Sequence, residues 1–233
     1  MKAFLLAAGL GTRLRPITDS TPKCMLRIGQ APLLDIWLDA MATAGVREVL
    51  VNLHHLAHVV RSHLAARSRP PAVRLTEEPE LLGSAGTLLT NRDFVDGEEM
   101  FLAVNADNLT DFDLRVLINA HRAGAAAATL TLFHAPRPSE CGIVDVEGDR
   151  VVGFAEKPAD PRSDLANAGM YAFHPSVIDL IGTPLPKDIG HDLLPRLVGK
   201  ARAVPLNGSY FIDIGTPAAL AHARDEWQGR QLS

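Results

Sequence analysis

The sequence predicts an α/β fold, a mainly parallel sheet with helices on both faces, followed by a smaller β-rich region. Three observations carry that expectation. A short apolar run passes directly into a glycine loop, strand-like and helix-like segments alternate through the first half, and the texture changes after Pro136 to short strands and turns. The opening run, Ala3 to Ala8, is too short for a helix of its own and reads as a buried central strand. Further strands are expected at 48–53, 73–75, 100–104 and 128–133, with helices near 33–44, 56–66, 85–91 and 114–123 between them. Beyond Pro136, segments 142–146 and 150–155 form a hairpin across Glu147-Gly148-Asp149, and a strand follows at 168–173. Helical segments near 175–181 and 192–198, strands near 201–205 and 210–212, and a helix from Pro217 complete the order. Arg67-Ser68-Arg69-Pro70-Pro71 is a loop and not a linker, because the pattern resumes at once.

Composition bounds the function. With 233 residues, 47% of them hydrophobic, the chain can bury one substantial core. A net charge of -4 argues against a nucleic-acid or anionic-membrane surface, which needs a clustered basic excess, and favours a small anionic ligand bound locally. Cys24 and Cys141 are too few and too far apart for a disulfide framework or a zinc site, which points to a reducing, cytoplasmic compartment. No signal peptide precedes the first strand, and no apolar stretch is as long as a membrane span.

The segment Leu5-Leu6-Ala7-Ala8-Gly9-Leu10-Gly11-Thr12-Arg13, continuing to Pro22-Lys23, has the makings of a phosphate cradle. Gly9 and Gly11 allow a sharp turn at the strand end and close approach of a phosphate to backbone N–H groups, while Arg13, Arg15 and Lys23 add positive charge. Two better-known phosphate loops are excluded. No Gly-Lys-Ser/Thr occurs, so this is not a P-loop, and Leu14 stands where a dinucleotide fingerprint needs its third glycine. A nicotinamide-dependent dehydrogenase is disfavoured on the same grounds, since no ribose-binding acid follows on a second strand.

What remains, Gly-x-Gly-Thr-Arg-Leu-x-Pro-x-Thr followed by Pro-Lys, resembles the signature of the sugar-1-phosphate nucleotidyltransferases, which join a nucleoside triphosphate to a sugar 1-phosphate and release pyrophosphate. The resemblance covers almost the whole chain and implies a single Rossmann-like domain over 1–233, with a nucleotide-binding part over about 1–135 and a sugar-facing part over about 136–233. It implies that Leu6, Ala8, Gly9, Gly11, Thr12, Arg13 and Lys23 hold the triphosphate. Cys24-Met25 stand where other apolar residues are usual in the family, a change that conserves volume.

Nucleotidyl transfer gathers several negative charges, which calls for a divalent cation on hard oxygen ligands, Mg2+ in the first place. Asp107, in Asn105-Ala106-Asp107-Asn108, and Asp213, in Tyr210-Phe211-Ile212-Asp213-Ile214-Gly215-Thr216-Pro217, both follow apolar strands and match the family's metal-binding aspartates. Ala106 replaces the family's usual glycine, and either aspartate alone reads equally well as a helix N-cap. The resemblance also implies a base site at Glu78, Gly83 and Gly86, because Glu77-Glu78-Pro79-Glu80-Leu81-Leu82-Gly83-Ser84-Ala85-Gly86-Thr87 resembles the family's Leu-Gly-Thr-Ala-Gly loop. Glu78 matches a glutamate of its guanylyltransferases and some uridylyltransferases, where thymidylyltransferases have glutamine. A carboxylate at 78 accepts two hydrogen bonds from the guanine N1 and N2 edge, whereas uracil offers one donor between two acceptors, so the reading leans to GTP. The plain alternative is a solvated acidic loop, which would explain at least two of Glu77, Glu78 and Glu80.

For the sugar phosphate the resemblance implies Asn105, Gly142, Glu156, Lys157 and Asn167, with Lys157 holding the 1-phosphate next to the α-phosphate at Arg13. The attacking phosphate oxygen is already anionic, so no general base is required, and the catalytic burden falls on Arg13, Lys23, Lys157 and the cation. Gly142 reads equally as a plain hairpin edge. His54 and His58, spaced as helical metal ligands, lack a metalloprotease glutamate and are expected on a polar surface. Trp37 is expected to pack, and Asp188 to cap a helix. The chain resembles the family's short catalytic-core form, and the phrase around Asp213 most resembles the mannose and heptose guanylyltransferase branch. A uridylyl- or cytidylyltransferase on another phosphorylated acceptor, or a silent sugar-nucleotide sensor of the same fold, stays open, as does homo-oligomerisation.

Overall fold

The computed structural model describes residues 1–227. Its strands are, in chain order, β1 (Lys2–Leu6), β2 (Arg27–Ile28), β3 (Ala31–Pro32), β4 (Glu48–Leu53), β5 (Ala72–Glu77), β6 (Phe101–Asn105), β7 (Asn108–Thr110), β8 (Ala128–His134), β9 (Gly142–Glu147), β10 (Arg150–Glu156), β11 (Leu165–Phe173), β12 (Ala201–Pro205) and β13 (Phe211–Asp213). The helices are α1 (Leu33–Thr43), α2 (Ala57–Ala65), α3 (Ser84–Thr90), α4 (Leu114–Ala123), α5 (Leu194–Leu197) and α6 (Pro217–Glu226). The expected α/β order is present, with the strand at 73–75 extended at both ends. The helix expected at 192–198 is a π-helical turn, Ile189–Leu193, running into α5. The strand expected at 210–212 is β13, whereas its partner β7 and the short ladder β2–β3 lie below what periodicity registers.

Two compact units divide the chain, and both are discontinuous in sequence. Among the described residues the first comprises Met1–Leu81, Val104–Leu114 and 209–227. Its strands β5, β4 and β1 are adjacent and parallel, with Leu6 opposite Asn52 and Asn52 opposite Thr76. Parallel neighbours need crossover connections, which α1 and α2 supply. Ala3, Phe4, Leu5, Val49, Leu50 and Val51 are fully buried, as expected for parallel strands covered on both faces. The Ala106 N–H donates to the Leu6 carbonyl at 3.0 Å, which ties the turn after β6 to the end of β1.

The second unit comprises Leu82–Ala103 and Arg115–Gly208. Its strand order is β11-β8-β12-β10-β9; β8 and β12 are parallel and the other pairings antiparallel. The expected hairpin is β9–β10, with Glu147 opposite Arg150, and Gly148 at φ 64° takes the left-handed turn position. Phe101, Tyr171 and Phe173 are fully buried around one another, with ring centroids 5.7 Å apart for Phe101 and Phe173 and 5.2 Å for Tyr171 and Phe173. Burying each such ring contributes about 1.5–3 kcal/mol. Along α4, Leu117, Ile118 and His121 follow helical spacing and are all buried. No helix among the described residues is long and apolar enough to cross a membrane.

His121 shares a hydrogen bond of 3.0 Å with the Thr129 hydroxyl. Burial, with a smaller contribution from His174, lowers its pKa. A depressed histidine stabilises the fold above the unfolded-state value and loses that contribution as pH falls. The urea midpoint should therefore decline between pH 7.5 and 5.5, and the decline should be shallower in His121→Gln. An unchanged pH dependence in the variant would show that another group carries it.

Candidate active site

The loop after β1 closes on itself before it offers anything to a ligand. Gly11 stands at φ 63°, and a Cβ there would lie 2.9 Å from Thr18 Cγ2, so both backbone and packing require glycine. The buried Thr18 hydroxyl donates to the Gly11 carbonyl at 2.9 Å, and His55 Nε2 donates to the Thr18 carbonyl at 2.8 Å. At Gly9 the space where a Cβ would stand is open. Thr12 and Arg13 belong to a 3-10 turn, Thr12–Leu14, while Arg15 is engaged with Asp19 at 3.3 Å.

Lys23 opens another 3-10 turn, Lys23–Met25, and its side chain is only 9% exposed. Its ammonium donates to Asp107 Oδ2 at 2.9 Å and to Asp213 Oδ1 at 3.2 Å. Arg13 donates to the other oxygen of Asp213 at 3.3 Å. The ladder β7–β13 brings the two aspartates together: Asp213 stands opposite Asn108, next in sequence to Asp107. Trp37 Nε1 donates to the Asn108 carbonyl at 2.8 Å and the Thr110 hydroxyl to the Tyr210 carbonyl at 2.6 Å, which fixes both edges of that ladder. Gly215 leaves room for both side chains, since a Cβ there would lie 2.5 Å from an Arg13 guanidinium nitrogen and 2.8 Å from Asp213 Oδ1; its N–H donates to that oxygen. Partial burial opposes ionisation of Asp213, but Lys23, then Arg13 and the Gly215 N–H, outweigh it and hold the carboxyl below its ordinary range. Asn105 ends β6, ahead of Asp107.

Glu77 and Glu80 are exposed, as a solvated loop requires, whereas Glu78 is 2% exposed. Glu78 Oε1 accepts from Asn52 Nδ2 at 2.8 Å, and Asn52 Oδ1 accepts from the Ala7 N–H at 2.7 Å. His54 Nδ1 donates to the Glu78 carbonyl at 2.7 Å. His54 therefore precedes α2 and braces a strand end, and does not share a helical face with the exposed His58 as their spacing implied.

In the second unit, Gly83 and Gly86 pack against the segment that follows Leu185. Gly83 stands at φ 75°, and a Cβ there would overlap the Lys187 backbone; at Gly86 it would lie 3.0 Å from Leu185 Cδ2. The Lys187 carbonyl accepts from the Ala85 and Gly86 N–H groups at 2.9 and 3.0 Å. The Ser84 hydroxyl donates to Asp188 Oδ2 at 2.7 Å and accepts from the Ile189 N–H at 2.7 Å. Asp188 is the expected cap, with its other oxygen accepting from the Gly190 and His191 N–H groups, but it also holds the loop at Ser84.

Glu156 ends β10 directly opposite Gly142 on β9. A Cβ on Gly142 would lie 2.8 Å from Glu156 Oε2, and one on Gly190 would lie 2.6 Å from it, so the carboxylate occupies the space two glycines leave. Burial raises the Glu156 pKa against the opposing charges of Lys157 and His191. Lys157 has φ 45°, a left-handed conformation rare outside glycine, and its ammonium lies 3.9 Å from Glu156 Oε1. Asn167 sits at a break in the β11–β8 register: its Oδ1 accepts from the Gly169 N–H at 3.1 Å and its Nδ2 donates to the Tyr171 hydroxyl at 2.7 Å.

Sequence reasoning missed Asn52, Thr18, His55 and the second role of Asp188. For Asn52 a signal existed, an amide inside the apolar run Leu50-Val51-Asn52-Leu53. Cys24 is inert, since burial pushes its thiol up to about 12 against a smaller backbone hydrogen-bond effect. Among the described residues no group of three or more His, Cys, Asp and Glu side chains gathers as a metal cage. The two carboxylates on Lys23 nevertheless fit a hard cation, because their oxygens already hold one positive charge and magnesium takes its remaining ligands from phosphates and water.

A glycine loop at the end of a parallel strand, with two strand-end carboxylates bridged by a buried lysine, defines an α/β protein with a charged cluster at the carboxyl-terminal strand ends. The chain belongs to the nucleotidyl transferase family, whose model matches residues 2–229. It is 33% identical over 224 residues to the mannose-1-phosphate guanylyltransferase catalytic subunit beta of Danio rerio, covering 93% of this chain and 62% of the relative. It is 32% identical over 225 residues to the mannose-1-phosphate guanyltransferase of Candida albicans, with the same coverage. The chain thus spans about three fifths of the length of the curated relatives it matches. A crystal structure of a candidate glucose-1-phosphate thymidylyltransferase from Bacillus anthracis, in complex with a sucrose, superposes with a TM-score of 0.86 over 97% of this chain and 94% of that one at 23% identity, a likeness of fold.

Glu156→Gln tests the cost of holding a carboxylate between two glycines. A carboxyl whose pKa is raised by folding stabilises the protein below the unfolded-state value and loses that contribution as pH rises. The variant should show a higher urea midpoint than the parent at pH 8, with the advantage gone at pH 4. A midpoint lowered equally at both would show that the carboxylate is a net stabiliser.

Proposed function

We propose that this chain transfers a guanylyl group from GTP to a sugar 1-phosphate, mannose 1-phosphate in the first place, giving GDP-sugar and pyrophosphate. The observation that carries the reading is Lys23 bridging Asp107 and Asp213 beside Arg13, in a chain of the nucleotidyl transferase family. Both named relatives are mannose-1-phosphate guanylyltransferases, which supports the choice of base and sugar.

In this reading the loop from Gly9 to Arg13 receives the triphosphate. Arg13 and Lys23 neutralise charge on the phosphates and on the departing pyrophosphate. Asp107 and Asp213 would hold a divalent cation, Mg2+, which when bound neutralises phosphate charge and aligns the oxygens. Lys23 holds the two carboxylates together without their repelling each other, and a bound substrate gives it phosphate oxygens as alternative partners. Glu78 accepts from the guanine N1 and N2 edge, with Gly83 and Gly86 beside the base. On the acceptor side Lys157 binds the 1-phosphate, while Glu156, Asn167, Asn105 and Gly142 set the sugar. The acceptor phosphate is already anionic, so these residues orient an existing nucleophile and no proton needs to be removed.

The test is pyrophosphate release with Mg2+, each common nucleoside triphosphate and a panel of sugar 1-phosphates. GTP with mannose 1-phosphate should give the highest kcat/KM; no release with any pair would refute the enzyme reading, and saturable nucleotide-sugar binding without turnover would replace it with a sensor. Asp107→Asn and Asp213→Asn should each lower kcat on the order of a hundredfold while melting within a few degrees of the parent. Parental rates in both would refute the metal assignment. Lys157→Gly should melt no lower than the parent, since it relieves a left-handed residue, yet raise KM for the sugar 1-phosphate at least about tenfold.

A further inference from the structure

We infer that Gly190 is a positioning residue for the acceptor: by carrying no side chain it lets the Glu156 carboxylate stand where the sugar meets it, and Asp188 holds Gly190 in that place. The inference rests on the reading that Glu156 sets the sugar of the acceptor. No demand of the backbone explains the glycine. Gly190 lies in the π-helical turn Ile189–Leu193 and has no positive φ, so other residues can adopt its conformation. Proximity is what excludes a side chain, since a Cβ there would lie 2.6 Å from Glu156 Oε2 and 3.1 Å from Asp188 Oδ1. Both atoms end flexible side chains, so a methyl group at 190 moves carboxylates and spares the fold.

The glycine is itself held from α3. Asp188 Oδ1 accepts from the Gly190 N–H at 2.7 Å, and Asp188 Oδ2 accepts from the Ser84 hydroxyl at 2.7 Å. The Ile189 N–H donates to the same hydroxyl at 2.7 Å. The turn that carries Gly190 is thereby pinned to the first residue of α3. Glu156 is the group left to be met. Its side chain is 17% exposed, its Oε1 lies 3.9 Å from the Lys157 ammonium, and among the described residues no donor stands within hydrogen-bond distance of either oxygen. Burial raises its pKa, opposed by Lys157 and His191 and reinforced by Asp188. A carboxylate withdrawn from water and given no donor is stabilised by a ligand that brings neutral hydroxyl groups, and a sugar ring brings several.

A double-mutant cycle between positions 190 and 156 tests this. The full chain and the variants Gly190→Ala, Glu156→Ala and Gly190→Ala/Glu156→Ala are assayed for KM with GTP and with the sugar 1-phosphate established in the pyrophosphate assay, alongside thermal melting. Gly190→Ala should raise KM for the sugar 1-phosphate about tenfold, leave KM for GTP within about twofold, and melt within a few degrees of the parent. On top of Glu156→Ala, which removes the displaced group, the same substitution should change KM for the sugar 1-phosphate less than about twofold. Equal effects of Gly190→Ala in both backgrounds, or none in the parent, overturn the inference. If Gly190→Ala does not fold, Ser84→Ala takes its place in the cycle: it frees Asp188 and the turn, should raise the same KM about threefold only where Glu156 is present, and an additive effect overturns the inference. A Glu156→Ala variant with the parental KM for the sugar 1-phosphate, or a parent without turnover, refutes the underlying reading and this inference with it.

Discussion

The Lys23 ammonium between Asp107 and Asp213 is the constraint on which the first unit depends. A lysine side chain 9% exposed is tolerated only when its charge is met, and two carboxylates at 2.9 and 3.2 Å meet it. Removing one partner from a buried ion pair costs about 3–5 kcal/mol in the interior, and less here, because both aspartates are nearly half exposed. The arrangement also asks for much of the surrounding architecture. Asp107 must follow β6, Asp213 must end β13, and β13 must pair with β7 in the register that sets Asp213 opposite Asn108. Trp37, Thr110 and Gly215 are explained by that requirement: the first two hold backbone carbonyls of the ladder, and the third leaves room for the carboxylate.

A second dependence runs through the end of β4. Over four residues, Asn52 binds Ala7 and Glu78, His54 binds the Glu78 carbonyl, and His55 binds the Thr18 carbonyl. Thr18 in turn holds Gly11. The two histidines each face a carbonyl oxygen, so each must carry its proton on the nitrogen that makes the contact, Nδ1 in His54 and Nε2 in His55. Carboxyl-terminal strand ends in parallel sheets are where ligand-binding segments emerge. Here side chains at the end of β4 link the ends of both neighbouring strands, β1 and β5, so the glycine loop and the acidic position 78 are placed by one rigid element.

These two networks differ in how much of them was legible in the sequence. The loop was legible because Gly11 is a local demand: a left-handed residue packed on Thr18 leaves only glycine. The position of the aspartates was legible because each follows an apolar strand, whereas their meeting on Lys23 depends on the β7–β13 pairing. The alternation of elements was legible from period alone and the apolar run at 210–212 marked β13, while β7, of three residues, was too short to have a period. Asn52 was not assigned because its role depends on the register of β1 against β4, which no local pattern encodes. Asp188 was read only as a cap because its cap partners are two and three residues away, whereas Ser84 is 104 residues distant. The spacing of His54 and His58 misled because a helical period was extended one turn before the helix begins at Ala57.

In the second unit the same logic explains the strain at Lys157. Successive side chains of a strand point to opposite faces, so a regular continuation of β10 would send Lys157 away from Glu156. The ladder does continue one bond further, from the Lys157 N–H to the Cys141 carbonyl at 3.1 Å, but φ at Lys157 is 45° and the alternation breaks there. The ammonium and the Glu156 carboxylate consequently stand 3.9 Å apart although they are neighbours in sequence. A non-glycine residue in this conformation costs on the order of 1–3 kcal/mol and persists only where its surroundings fix it. The salt bridge is too long and too exposed on the lysine side to offset that cost. Glycine at 157 would remove the strain and with it the cation. The strained lysine is therefore accounted for by what it presents, an ammonium beside a carboxylate on one face of the strand end, and not by what it contributes to the fold.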